Sequence, residues 1–81
     1  MKVNFSRHAK RRAKLYEIPE STVLDIIARE KLARGKHEII KHVAGFKYPL
    51  KIVVQVEKNY ATIITNYPLK KGVKNESSLR Q

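Results

Sequence analysis

Two segments of alternating apolar and polar residues flank the dipeptide Lys58-Asn59, and this pattern limits the fold more than any other in the chain. Leu50 to Glu57 and Tyr60 to Tyr67 both follow a period of two and are dense in β-branched residues, as strands with one buried face are. The two-residue loop between them predicts a hairpin whose ladder is set from its closing pair, Glu57 with Tyr60. Continued without interruption, that register puts Leu50, Ile52, Val54 and Val56 on one face with Tyr67, Thr65, Ile63 and Ala61. Lys51, Val53, Gln55 and Glu57 share the other with Asn66, Ile64, Thr62 and Tyr60. The first face is apolar and must be covered by something.

The cover has to come from the first half of the chain, where the periodicity is helical. Ser6 is placed to cap a helix over Arg7 to Leu15, with Ala9, Ala13 and Tyr16 recurring beside Phe5 on its apolar side. Pro19 suits the first turn of a second helix, Glu20 to Ala33, in which Val23, Ile26, Ile27 and Glu30 mark one face with Leu24 and Ala28 at its border. Gly35 is the expected C-terminal stop. A further strand is expected over Glu38 to Val43, joined through Gly45 to Pro49 to the hairpin, and Lys2 to Phe5 suits a short edge strand. The reading is one α+β domain over residues 1–71, with two N-terminal helices packed on one face of a three- to four-stranded antiparallel sheet. Residues 72–81 lack apolar periodicity and read as a flexible basic and polar tail.

Eighty-one residues allow a single core, and the absence of cysteine removes disulfides and thiolate metal sites from the means of stabilising it. Neither a signal-peptide pattern nor an apolar run of spanning length is present, which points to the cytoplasm and away from the membrane. The formal net charge is +11, far more than solubility calls for, and a polyanion is the natural counterpart. Its distribution is uneven. Lys2, Arg7, Lys10, Arg11, Arg12 and Lys14 stand in the first sixteen residues with no acidic residue among them, and Lys70, Lys71, Lys74 and Arg80 at the other end face only Glu76.

The row Arg7, Lys10, Arg11 and Lys14 on one short helix suits successive phosphates, as Lys70 and Lys71 do beyond the last strand. His8 and Arg12, four residues apart, fall on one side of that helix, one turn from each other. Imidazole and guanidinium so placed can serve metal-free RNA cleavage, moving the 2′-OH proton and steadying charge on phosphorus. The bland alternatives are a packed or capping histidine and an ion-paired arginine. Tyr67 before Pro68 offers a ring for unpaired bases or for closing the core, the core being favoured by its place on the apolar face, whereas Phe46 and Tyr48 in the connection are less easily explained by packing and suit unpaired bases. His37 and His42 make no convincing metal site, and with only seven acidic residues magnesium chemistry is not expected. No cofactor or metal is called for.

Phe5-Ser6-Arg7-His8-Ala9, then Arg12, Ile18 and Val23, resembles the start of a bacterial and archaeal family of small domains of uncharacterised activity. Ile52-Val53-Val54-Gln55-Val56 and Ala61-Thr62-Ile63-Ile64-Thr65-Asn66-Tyr67-Pro68 resemble its closing hairpin, so the likeness runs over residues 5 to 71. Where that family commonly carries Arg-Gly after the first helix, this chain has Tyr16-Glu17. The family is similar to the RelE/ParE and BrnT toxins, whose fold sets two helices against a small antiparallel sheet. The resemblance implies a toxin-like ribonuclease of a toxin-antitoxin system, with mRNA or ribosome-bound RNA as target and a directly bound antitoxin, acidic to match this surface. Carried over, it makes His8, Arg12 and Tyr67 the catalytic candidates, with Thr65 beside them. A non-catalytic nucleic-acid-binding module, or a protein-interaction module for an acidic partner, remains the alternative.

Overall fold

The structure, a computed structural model, describes residues 2–70. In chain order the elements are β1 (Lys2–Phe5), α1 (Arg7–Leu15), α2 (Glu20–Arg29), β2 (Gly35–Lys41), β3 (Leu50–Val56) and β4 (Tyr60–Pro68). The strands form one sheet in the order β1-β4-β3-β2. The fold is α+β, and the sheet is mixed where an antiparallel one was expected: β2–β3 and β3–β4 run antiparallel, but β1 lies parallel to β4. A parallel neighbour needs a long crossover, and everything from α1 to β3 supplies it. The expected tail at 72–81 and Lys71 lie outside the described residues.

Helix α1 begins where the capping chemistry dictates. The Ser6 hydroxyl accepts the Ala9 N–H at 3.0 Å and donates to the Ile64 carbonyl at 2.9 Å, so one side chain caps the helix and ties it to β4. The helix ends in a Schellman motif: Ile18 N–H donates to the Ala13 carbonyl at 2.8 Å and Glu17 N–H to that of Lys14 at 3.2 Å. Glu17 takes the left-handed φ of 55° that this motif demands, a position usually given to glycine. Ile18, buried at 4 % exposure, supplies the hydrophobic anchor.

Helix α2 stops at Arg29, four residues before the expected end at Ala33. Glu30 is extended and its carboxylate meets Lys41 of β2 at 3.1 Å, while Leu32 turns back against the core. Gly35, with φ at 123°, opens β2 instead of stopping the helix. Strand β2 therefore spans Gly35–Lys41 where Glu38 to Val43 was expected, matching the full length of β3 from Val56 to Leu50. The connection that follows turns at Gly45, closed by Phe46 N–H to the Val43 carbonyl at 3.1 Å.

The hairpin closes as expected, Glu57 N–H donating to the Tyr60 carbonyl at 2.7 Å with Val56 opposite Ala61. Its register then slips. Val54 pairs with Ile63 but Val53 with Thr65, so Ile64 is an extra residue, a β-bulge. From there on the alternation of β4 is reversed. Asn66, not Thr65 or Tyr67, faces the core opposite Ile52, and it is fully buried. Thr65 and Tyr67, expected on the apolar face, lie on the other.

Ala9 and Ala13 of α1 and Val23, Ile26 and Ile27 of α2 share one cluster with Leu50, Ile52, Val54, Val56, Ala61 and Ile63 of the sheet. Leu50, Ile52, Val54 and Ile63 are fully buried, each contributing about 1.5–3 kcal/mol by its removal from water. Alanine at both buried positions of α1 lets the helix backbone approach β4 closely, where Asn66 Nδ2 donates to the Ala9 carbonyl at 3.2 Å.

Candidate nucleic-acid interface

With Ala9 and Ala13 turned inward, the rest of α1 faces out. Arg7, His8, Lys10, Arg11 and Lys14 are exposed, Arg12 is half-buried at the flank, and Leu15 is 66 % exposed at the end. No acidic residue stands in the first turn. Arg7 is thus held at the positive end of the helix dipole, where a carboxylate would be favoured. Among the described residues, the ion pairs are Arg29–Asp25, Lys41–Glu30 and Lys51–Glu38. None involves an α1 cation, so that helix keeps its charge uncompensated within the described part of the fold.

His8 and Arg12 do stand one turn apart on the same flank, as their spacing requires. Tyr67 is not brought to them. It lies opposite Lys51 in the β3–β4 ladder, on the face away from the one on which α1 packs. Thr65 shares that face. Lys70 is exposed just past β4, where Leu69 N–H donates to the Pro49 carbonyl at 2.8 Å. Of the aromatic residues in the connection, Phe46 packs against the core, whereas Tyr48 lies half-buried with the Lys47 ammonium 5.6 Å from its ring centre.

The open face of the sheet sets Thr65 and Tyr67 among residues whose sequence pattern suggests no site role. Across the strands its rows are Lys2, Tyr60 and Glu57; Asn4, Thr62, Gln55 and Lys36; Thr65, Val53 and Glu38; and Tyr67, Lys51 and Ile40. Lys51 Nζ sits 3.2 Å from Glu38 Oε1. The hydrogen bond to that carboxylate holds the ammonium pKa above its ordinary value, opposed by burial and assisted by neighbouring Tyr67. Gln55 Nε2 donates to Glu57 at 3.3 Å. Simple alternation conceals only that Thr65 and Tyr67 join this face, because the register shifts at the bulge.

His37 is engaged with the Ala33 carbonyl at 2.7 Å, and His42 borders an open cleft between α2 and the end of β2. Among the described residues, no three His, Asp or Glu side chains group as metal ligands, and no helix is long and apolar enough to cross a membrane. The chain matches no known family model, no curated protein and no solved structure.

Proposed function

We propose that this chain is a toxin-like RNA-binding protein whose basic helix α1 engages the phosphate backbone. The observation that carries the reading is the exposed set Arg7, Lys10, Arg11 and Lys14, free of acidic partners among the described residues. Solvated helix faces usually intersperse charges of both signs; this one is of a single sign and stands on a helix that sacrifices dipole complementarity at Arg7. The RelE-like resemblance supports the same reading. Two helices lie against a small sheet, and Glu17 adopts the left-handed φ at the position where the resembled family commonly has glycine. The same cations suit an acidic antitoxin that would compete with RNA for them.

The test is binding of single-stranded RNA across a salt series. Affinity should fall steeply and linearly on logarithmic axes, as counterion release requires. Binding indifferent to salt would remove the basis of the proposal.

A second reading, metal-independent endoribonuclease, draws on His8 and Arg12. The exposed imidazole would take the proton from a ribose 2′-OH, whose oxygen attacks phosphorus to give a cyclic phosphate while the P–O5′ bond breaks and the leaving 5′-oxygen takes a proton from solvent water. The Arg12 guanidinium would steady the phosphorane charge. Cleavage in the presence of a chelator, lost in His8→Ala and in Arg12→Ala, is the expected result; equal cutting by the wild type and both variants would rule the couple out. Tyr67, on the other face, belongs to a different surface.

A further inference from the structure

We infer that the open face of the sheet is a stacking platform for unpaired bases of single-stranded RNA, with Tyr60 and Tyr67 as its two rings. The inference rests on the reading that RNA is the partner, and adds which part of the RNA is held and by which surface.

The composition of this face carries it. Tyr60 is 45 % exposed at one end of β4 and Tyr67 is half-buried at the other. Three row spacings separate them, about 20 Å at twice 3.4 Å per row. Between the rings lie hydrogen-bonding side chains, Thr62, Thr65, Gln55 and Asn4, with Val53 as an apolar floor. Lys2, Lys36 and Lys51 are distributed over its strands. Rings for base faces, amides and hydroxyls for base edges, and ammonium groups for phosphates are the chemistry that holds unpaired nucleotides. Two carboxylates, Glu38 and Glu57, are each engaged by a neighbour, Lys51 and Gln55. A duplex, with its bases already stacked and paired, has no use for such a face.

The two surfaces are carried by the same strand. β1 pairs with β4 only from Tyr60 to Ile63, and α1 begins there, with Ser6 N–H on the Ile63 carbonyl at 3.0 Å and the Ser6 hydroxyl on that of Ile64. The stretch carrying Thr65 and Tyr67 is therefore backed by α1, whose cations face outward on the opposite side of β4 from the platform.

The experiment compares three probes on the whole chain: single-stranded oligoadenylate, an abasic ribose-phosphate strand of the same length, and the corresponding duplex. The chain has four tyrosines and no tryptophan, so its ultraviolet emission reports tyrosine alone and stacking quenches it. Oligoadenylate should bind roughly ten- to hundred-fold more tightly than the abasic strand and quench emission, an advantage lost in Tyr67→Leu or Tyr60→Leu and kept in Tyr67→Phe. Tyr60 is exposed enough that its replacement tests the platform even if Tyr67→Leu fails to fold. Equal affinity for oligoadenylate and the abasic strand, with no quenching, overturns the platform and leaves phosphate binding by α1 standing. Failure of all three probes to bind overturns both.

Discussion

Asn66 and Ala9, fifty-seven residues apart in the chain, meet in the fully buried seam between β4 and α1, where the amide of one donates to the helix carbonyl of the other. The amide's oxygen Oδ1 is buried too and has no hydrogen-bond partner among the described residues. A neutral side chain at this point is tolerated; a charge would not be. Asn66→Asp should destabilise the fold by about 3 kcal/mol or more at neutral pH, since an unpaired carboxylate would be buried. The penalty should shrink as pH falls and the carboxyl protonates, because burial raises its folded pKa above the unfolded value. Urea denaturation of both proteins across pH checks this, and a constant difference would contradict it.

Ser6 caps α1 and binds the Ile64 carbonyl with the same hydroxyl. Ser6→Ala should lose about 1–2 kcal/mol, and Ser6→Thr should recover most of it. The expected signature in denaturant is a lower midpoint at unchanged slope.

The left-handed Glu17 is a strained residue in a motif that glycine fits without strain. Glu17→Gly should raise stability by about 1 kcal/mol, read as a shift to higher midpoint.

These three predictions also mark what the residues reveal in advance. Ser6 announces the start of α1 because capping is local chemistry, and Lys58-Asn59 announces the hairpin because a two-residue loop leaves one closing pair. The end of α2 was not legible: Leu32 and the Glu30–Lys41 pair belong to tertiary packing, which outweighs the good helix propensity of Lys31, Leu32 and Ala33. The bulge was hidden for a related reason. Ile64 looks like any other strand residue, and the carbonyl that makes it special is bound by Ser6 from the far end of the chain. The resemblance groups Tyr67 with His8 and Arg12, and the sheet separates them.

Neutralising cations on α1 should leave stability within about 0.5 kcal/mol, since Arg11 and Lys14 are exposed and unpaired within the described fold. In Arg11→Gln or Lys14→Gln, the slope of log affinity for single-stranded RNA against log salt should flatten by about 0.7 per charge contacting phosphate. Titration at several salt concentrations measures it directly.

Lys51 titrates higher in the fold than free, chiefly through Glu38. A group whose folded pKa is raised stabilises fully below its unfolded value, here 10.5, and that contribution fades as pH climbs through the folded pKa. Lys51→Met should therefore differ from wild type by a steady amount between neutral and mildly alkaline pH, and the two stability curves should draw together in strongly alkaline solution; a difference unchanged there would contradict this.

One surplus residue decides what this protein presents to its surroundings. Were the bulge ironed out with every residue kept, Ile64 would sit opposite Val53 and the rest of β4 would swap parity: Thr65 and Tyr67 would roll inward under α1 and Asn66 would surface beside Lys51. Substitutions in that stretch exchange one contact at a time, whereas a one-residue slip of register exchanges wet for dry wholesale. The spacing of β4, more than the identity of any residue in it, is what variation here can least disturb.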